Sequence, residues 1–308
     1  MNDELKIVFL GTGAAIPTLR RGLPSLAIIK DNRTFLCDCG EGTQLRIMQA
    51  GLHPSKISHI FISHLHGDHI FGLPGFLSTQ QMMGRMNPLT LFGPKGLKKF
   101  IEKVRNISEF TLDFSLRIVE LEPERQKFHV DDFVVETSLL EHRSLCYGYG
   151  FFEKPRPGKF NVEKAKMFDI PPGPQRAALK QGNVIFVHGR KIRPDDVLAP
   201  PVPGRVIAYC SDTRPCSSAV ELAKDCDVLV HDSTFAEHHK DKAHESFHST
   251  AEQAAKVAAR ANAKKLILWH ISSRYDEDDE RELLAQARQV FPESYLSRDF
   301  AEIKIERP

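Results

Sequence analysis

One stretch, FISHLHGDHIFG at 61–72, constrains the fold more than any other part of the chain. A β-branched, apolar run leads directly into three histidines and an aspartate that lie within six positions. Crowded imidazoles repel one another when charged and lack hydrogen bonds when buried and neutral, so such a cluster normally needs a cation. The stretch therefore predicts a strand whose end delivers metal ligands, as strand ends do in α/β folds.

The spacing within this cluster indicates two ions. His64 and His66 can converge on one ion from a turn, whereas Asp68 and His69 follow at once and can point to a second. An ion such as zinc takes about four nitrogen or oxygen ligands, so the cluster cannot complete two coordination shells. Other strand ends must supply the rest, and three have the same order of apolar run and then ligand: His142 after VVETSLLE, Asp212 after RVIAYCS and His270 after KKLILW.

Short β-rich runs alternate with helical patterns along the chain, which predicts a mixed α/β fold. Cys37 and Cys39 flank Asp38 at the end of one such run and are interpreted as alternating strand residues, not as a metal-binding pair. Further strands are predicted at 57–64, 89–93, 133–140, 147–152, 184–187, 205–210, 227–233 and 264–270, and helices at 249–263 and 277–291.

Composition excludes several classes of protein. The 308 residues, 41% of them hydrophobic, can form one large domain, 1–308, and no run approaches the roughly 20 apolar residues of a membrane helix. The N-terminus lacks a signal-peptide pattern and the six cysteines are too scattered for a disulfide framework, so we expect a cytoplasmic protein. A net charge of +2 creates no global field, so a polyanionic partner must meet a local basic patch.

Residues 153–183 interrupt the alternation of strands and helices. This segment is rich in proline, has an excess of basic side chains and offers few positions that look buried. It predicts a protruding insertion within the domain, although an ordinary solvated loop would have a similar composition. The Gly173-Pro174 pair would form a turn at its tip.

These motifs carry a resemblance to a known family. SHLHGDH matches the H-x-H-x-D-H signature of the metallo-β-lactamase superfamily, and GTGAAIP, DCGEGTQ, SDTRPC and HISSRY are similar to the ribonuclease Z family, which cleaves the 3′ ends of tRNA precursors. HDSTF (231–235), HST (248–250) and PPGPQRAALKQG (171–182) resemble two loops and the tRNA-gripping arm of that family. The resemblance implies a four-layer αββα sandwich with an inserted flexible arm.

The resemblance also implies how the site works. One zinc ion would be held by His64, His66 and His142, a second by Asp68, His69 and His270, and Asp212 would bridge them. Two such ions activate a hydroxide that attacks the phosphodiester. Asp68 would also orient this nucleophile. His248, oriented by Asp232, would protonate the departing sugar oxygen.

The substrate implied by the resemblance is precursor tRNA, cut to a tRNA 3′-hydroxyl and a 5′-phosphorylated trailer. The resemblance to family members of this length implies a homodimer in which the arm of one subunit holds the tRNA that the other cleaves. Arg274 could contact a phosphate or, equally, cap a helix. The arm residues expected to contact tRNA are Lys154, Arg156, Lys159, Gly173, Pro174, Arg176 and Lys180.

Three positions depart from the family pattern. The Pro-x-Lys-x-Arg-Asn loop, linked to rejecting tRNAs that already end in CCA, is PTLRRG here, so Leu19 and Gly22 replace Lys and Asn. Asp232 stands where the family usually has Glu, which shortens the reach of this carboxylate.

Two other functions could use the same residues. A phosphodiesterase or thioester hydrolase for small molecules could be built on this metal site, but it has no use for a basic insertion. A catalytically silent RNA-binding subunit is the second alternative, and the complete ligand set argues against it. Manganese or iron could replace zinc in such sites.

Overall fold

The computed structural model describes residues 3–307. Its strands are β1 Leu5–Gly11, β2 Gly13–Ala14, β3 Ser25–Lys30, β4 Arg33–Cys37, β5 Ile57–Phe61, β6 Leu89–Pro94, β7 Leu116–Leu121, β8 Lys127–Val130, β9 Phe133–Leu139, β10 Tyr147–Glu153, β11 Ile185–Val187, β12 Arg190–Ile192, β13 Val206–Cys210, β14 Val228–Asp232, β15 Leu266–Trp269, β16 Ile271–Ser272, β17 Ser294–Leu296 and β18 Glu302–Lys304.

Helices fill most of the connections between these strands. They are α1 Thr43–Gln49, α2 Gly67–Ile70, α3 Gly72–Met82, α4 Leu97–Ser108, α5 Val162–Met167, α6 Pro174–Lys180, α7 Pro194–Val197, α8 Ser217–Leu222, α9 Lys240–Ser246, α10 Ala251–Arg260 and α11 Glu277–Val290, with single 3₁₀ turns at Pro54–Lys56 and Glu237–His239. Among residues 3–307, none of these helices has the length and apolar character needed to cross a bilayer.

Two seven-stranded sheets form the centre of the larger compact unit, residues 3–152 and 206–306. The strand order is β18-β1-β3-β4-β5-β6-β7 in the first sheet and β17-β15-β14-β13-β10-β9-β8 in the second. Strands β4 to β7 run parallel to one another, as do β13, β14, β15 and β17. The carboxyl ends of these parallel strands therefore meet at one edge of each sheet.

Successive residues of a strand point to opposite faces of its sheet, and the apolar ones form three cores. Tyr209 of β13 and Trp269 of β15 point between the sheets, where Trp269 lies 5.7 Å from the ring of Phe9. Ala208 and Leu268, their neighbours in sequence, point outward into a second core formed with α8, α10 and α11. A third core joins the first sheet to α1, α3 and α4. Helices thus cover the outer faces of two packed sheets, and the predicted αββα sandwich is confirmed.

The smaller compact unit spans residues 153–205 together with Arg307. The segment singled out by its composition, 153–183, forms its first part, and the hairpin of β11 and β12 and the short helix α7 complete it. The unit has a small core of its own, made by Ala165, Ile170, Leu179, Val187, Ile192 and Val197. Sequence composition did not reveal this core because its apolar residues are widely spaced.

A buried ion pair closes the two ends of this smaller unit. The Arg205 guanidinium donates from Nε and Nη2 to the two carboxylate oxygens of Glu153, each at 2.8 Å, and both side chains are only 2% exposed. The Arg307 side chain reaches the same carboxylate at 2.6 Å. A side chain at Gly204 would stand 1.7 Å from the Glu153 carbonyl oxygen, so only glycine permits this close approach.

Candidate metal centre

Seven side chains that the motifs singled out converge at the carboxyl edge of the two sheets. The loop after β5 brings His64 and His66, and the short helix α2 brings Asp68 and His69. His142 lies after β9 on the second sheet, and Asp212 and His270 follow the parallel strands β13 and β15. Both sheets therefore contribute donors to one centre.

The first group of donors consists of three histidines and one carboxylate. Nε2 of His64 lies 3.0 Å from Nδ1 of His66, which is 3.4 Å from Nε2 of His142. Oδ2 of Asp212 is 3.6 Å from His64 Nε2 and 4.0 Å from His142 Nε2. These four residues offer one ligand atom each, all within 4.8 Å of one another.

The second group lies on the other side of the same aspartate. Nε2 of His69 is 3.6 Å from Oδ2 of Asp68 and 3.3 Å from Oδ1 of Asp212. Nε2 of His270 makes almost the same approach, at 3.6 Å and 3.4 Å. Because Oδ2 of Asp212 faces the first group and Oδ1 faces the second, this residue has the geometry of a bridge.

The donor set fits zinc or a similar cation. Ligand atoms held tetrahedrally about 2.0–2.1 Å from zinc stand about 3.3–3.4 Å apart, close to most of the distances above. The Nε2 atoms of His69 and His270 are buried and have no hydrogen-bond partner among the described residues. Buried polar atoms without partners are rare, and here both point toward the shared carboxylate. A cation between the donors would satisfy them.

Hydrogen bonds fix which nitrogen His64, His142 and His270 present. Nδ1 of His64 contacts the Ser63 hydroxyl at 2.9 Å, and Nδ1 of His142 contacts the Phe247 carbonyl oxygen at 3.0 Å. The Thr234 hydroxyl lies 2.9 Å from Nδ1 of His270. With Nδ1 engaged, each ring turns Nε2 toward the centre, an arrangement typical of metal-ligating histidines.

Asp38 performs the same task for His69, and the sequence analysis missed it. Its fully buried carboxylate accepts the Nδ1 proton of His69 at 2.8 Å, the Tyr209 hydroxyl at 2.6 Å and the Ser63 backbone amide at 2.7 Å. Asp38 has a left-handed backbone, φ 58°, immediately after β4. It follows a strand as the other site residues do, but its place between Cys37 and Cys39 gives it the pattern of an alternating strand residue.

The charges of the centre favour a bound cation. Burial alone would raise the pKa of the Asp212 carboxyl, but His270 and His69 beside it hold that pKa well below its usual range. Burial would also raise the pKa of Asp68, and His69 beside it holds that pKa low instead. Burial lowers the pKa of His64, His66 and His142, so these rings are neutral and keep a lone pair free for a metal.

His248 and Asp232, the predicted acid and its orienting group, are in direct contact. Nδ1 of His248 lies 2.7 Å from Oδ2 of Asp232. Burial alone would lower the pKa of His248, but the Asp232 carboxylate outweighs it and raises that pKa to about 9. The Thr234 hydroxyl donates to the other oxygen of Asp232 at 2.8 Å. The shorter carboxylate therefore still reaches the histidine.

The other predicted residues make contacts of their own. Arg274 is exposed, donates from Nε to the Ser272 hydroxyl at 3.0 Å and stacks 4.9 Å over Phe235. In the smaller unit, Arg176 donates from Nε and Nη2 to the Ile170 carbonyl oxygen. Gly173 has φ 127° and precedes α6, of which Pro174 is the first residue. Lys154, Lys159 and Lys180 are exposed, and Arg156 is half-buried.

Comparisons with known proteins agree with this fold and site. Two family models match the chain: Anti-Pycsar protein Apyc1 over residues 5–153 and Beta-lactamase superfamily domain over residues 182–271. A ribonuclease Z of Bacillus thuringiensis (strain Al Hakam) is 43% identical over 307 residues, which cover 98% of this chain and 100% of the relative.

Solved structures of two related proteins are similar to this chain over almost its whole length. The short form of human tRNase Z is 30% identical and has a TM-score of 0.71 over 98% of this chain and 99% of its own. YhfI of Bacillus subtilis, a metallo-β-lactamase fold protein, has a TM-score of 0.70 over 98% of this chain and 100% of its own. At 15% identity YhfI supports the fold alone.

Two facing sheets with a histidine and aspartate centre at their edge define a protein of the metallo-β-lactamase superfamily. Sequence identity to ribonuclease Z and tRNase Z over nearly the whole chain then identifies the family within this superfamily. The chain belongs to the ribonuclease Z family and is an endoribonuclease. The family and enzyme class predicted from the motifs are thereby confirmed.

Proposed function

We propose that this enzyme removes the 3′ trailer from precursor tRNA, leaving a tRNA that ends in a 3′-hydroxyl and a trailer with a 5′-phosphate. The observation that carries the proposal is the converged set of seven donors in a chain 43% identical to ribonuclease Z of Bacillus thuringiensis. The human relative, tRNase Z, is named for tRNA and is similar over 98% of this chain.

We propose two zinc ions per subunit as the cofactor. His64, His66 and His142 would hold one and Asp68, His69 and His270 the other, with Asp212 between them, as the two groups of donors support. When bound, the ions would supply an acidified water as nucleophile and neutralise charge that builds on the phosphoryl oxygens.

The chain's own residues would orient the nucleophile and handle the proton. Oδ2 of Asp68 accepts the backbone amide of Ala15 at 3.0 Å, which holds this carboxylate in place to orient the attacking water. His248 would donate the proton that the departing 3′ oxygen requires. The Asp232 carboxylate keeps His248 aligned and protonated, because it raises the pKa of His248 to about 9, above neutral pH.

Substrate binding would involve the smaller unit and one arginine of the larger unit. Precursor tRNA is much larger than the metal centre, so recognition by shape and backbone needs distant basic side chains. Exposed Arg274, which follows the strand after His270, would contact a phosphate. In the smaller unit we assign this role to Lys154, Arg156, Lys159, Arg176 and Lys180, presented around the turn at Gly173 and Pro174.

We also propose that the enzyme is a cytoplasmic homodimer. The six cysteines are free thiols, as expected in a reducing compartment. Helices α1 and α3, which pack together, and the residue after α3 leave large apolar side chains exposed: Leu45, Met48, Met82 and Met83. Such side chains are typical of protein interfaces. The molar mass in solution, measured by light scattering, should be twice that of one chain, and a monomeric mass would refute this part.

Cleavage of a labelled precursor tRNA tests the function. Wild-type protein with zinc should cut it after the last nucleotide of the mature 3′ end. His66→Ala should lose activity on precursor tRNA and on a small phosphodiester, because one ligand of the first ion is gone. A chain in which residues 153–183 are replaced by a short linker should fail on tRNA only.

A different pattern of activity would identify the alternative function, a hydrolase for small molecules. If wild-type protein leaves precursor tRNA intact but hydrolyses the small phosphodiester with or without residues 153–183, the metal centre is right and the substrate is a small molecule. Intact tRNA and intact small ester in the presence of zinc would overturn the catalytic proposal as a whole.

A further inference from the structure

An exposed aromatic and basic surface begins beside the ligand loop and continues along α4. Leu65, within the SHLHGDH motif, contacts the start of α4, where a Cβ at Gly96 would be 3.0 Å from its Cδ1. Phe71, just after α2, is 60% exposed, and its ring stacks with that of Phe100 in α4 at a centroid distance of 6.5 Å and an interplanar angle of 27°. The ligand loop and α4 therefore share one continuous surface.

Helix geometry places two lysines next to this aromatic pair. Leu97 and Ile101 are buried and mark the inner face of α4. Lys103 lies three residues after Phe100, and Lys99 lies four residues before Lys103, so each is one turn from its neighbour on the helix surface. Both lysines are exposed. We call Phe71, Lys99, Phe100 and Lys103 the α4 surface.

The positive charge of this surface is not neutralised by the chain itself. Within residues 3–307, neither Lys99 nor Lys103 forms an ion pair or a side-chain hydrogen bond. Glu102 lies three residues after Lys99, but its carboxylate is 3.9 Å from Lys98 instead. Lys99 and Lys103, whose Cα atoms are about 6 Å apart along the helix axis, are available to an anionic partner.

We propose that the α4 surface binds the phosphate backbone of a base-paired stem of the RNA substrate, next to the cleaved end. This inference rests on the proposed function. Lysines neutralise phosphates, and A-form stems are recognised through their backbone and shape, which a row of ammonium groups along a helix can follow. The exposed Phe71 ring, closest to the ligand loop, offers a stacking face to an unpaired base at the end of the stem.

The test is the salt dependence of RNA binding by the zinc-loaded protein. The ligand is tRNA without a trailer, the product of the proposed reaction, titrated by fluorescence anisotropy between about 50 and 200 mM KCl. Lys99→Gln/Lys103→Gln should raise Kd about tenfold and reduce the slope of log Kd against log salt by about two, one for each phosphate contact. Lys224→Gln/Lys265→Gln removes the same charge from exposed lysines before β14 and β15, away from α4, and should keep the wild-type slope.

The other outcomes of this experiment distinguish failure of the α4 surface from failure of the proposed function. Equal slopes for the two double variants, in proteins with equal Tm and zinc content, would overturn the role of the α4 surface. If wild-type protein cleaves precursor tRNA in that case, the proposed function stands without it. If wild-type protein neither cleaves precursor tRNA nor binds the trailer-free tRNA, both proposals are wrong.

Discussion

At the scale of single residues, the proposed acid His248 and its partner Asp232 should set the alkaline limit of the activity. A general acid works only while protonated, and the pKa of His248 is about 9 because Asp232 outweighs the effect of burial. We expect kcat/KM to fall as the pH rises through about 9. In Asp232→Asn the effect of burial remains without the carboxylate, so this alkaline limb should move to lower pH and kcat should fall.

The conservative replacement provides the control. Asp232→Glu keeps the charge and should keep the alkaline limb near pH 9, provided that the longer side chain still contacts Nδ1 of His248. An alkaline limb at the same pH in wild type and Asp232→Asn, measured on the same precursor tRNA, would remove His248 from the role of acid.

At the scale of elements, the start of α3 is fixed by a close contact with the loop after β4. A Cβ at Gly72 would stand 2.0 Å from the Gly40 carbonyl oxygen, which is backbone and has little freedom to move. Gly72→Ala should therefore lower the free energy of unfolding by about 2 kcal/mol, although alanine is by itself the better helix former. Urea denaturation measures this change.

The same helix offers a matched control. A Cβ at Gly75 would meet only the end of the Gln44 side chain, at 2.8 Å, and a flexible side chain can move aside. Gly75→Ala should be neutral or stabilise the protein by up to about 1 kcal/mol, the gain in helix propensity. Equal losses for the two variants would mean that the contact with Gly40 is not what matters.

At the scale of the whole molecule, the candidate metal centre takes its donors from both sheets. The first sheet carries His64, His66, Asp68 and His69, whereas the second carries His142, Asp212 and His270. If zinc binds the folded chain but not the unfolded one, it raises the free energy of unfolding by about 4 kcal/mol at a free zinc concentration of about 1,000 times Kd. We expect Tm to rise by several degrees between chelator-treated and zinc-saturated protein, measured by calorimetry.

His66→Ala is the control for this measurement, because one donor of the first group is missing. Its Tm should rise less on addition of zinc than that of wild type. Identical Tm values for wild type with chelator and with zinc would show that the donors hold no ion in solution.

The sequence by itself determined the elements and most of the donors. Apolar runs with the period of a strand, each followed at once by His64, His142, Asp212 or His270, could be read without any knowledge of the fold. They are local signals, since a strand and the residue after it are neighbours in the chain. The unusual composition of 153–183 is also a local signal, whereas the compact unit that the structure shows there continues to residue 205.

Only the tertiary structure decided how these residues act together. The division of the two Asp212 oxygens between the two groups depends on how the sheets pack. The partners of the histidines also come from distant segments: Asp38 is 31 residues from His69, and Phe247 is 105 residues from His142. No local pattern marks such contacts, because the packing of two sheets and their loops brings them together.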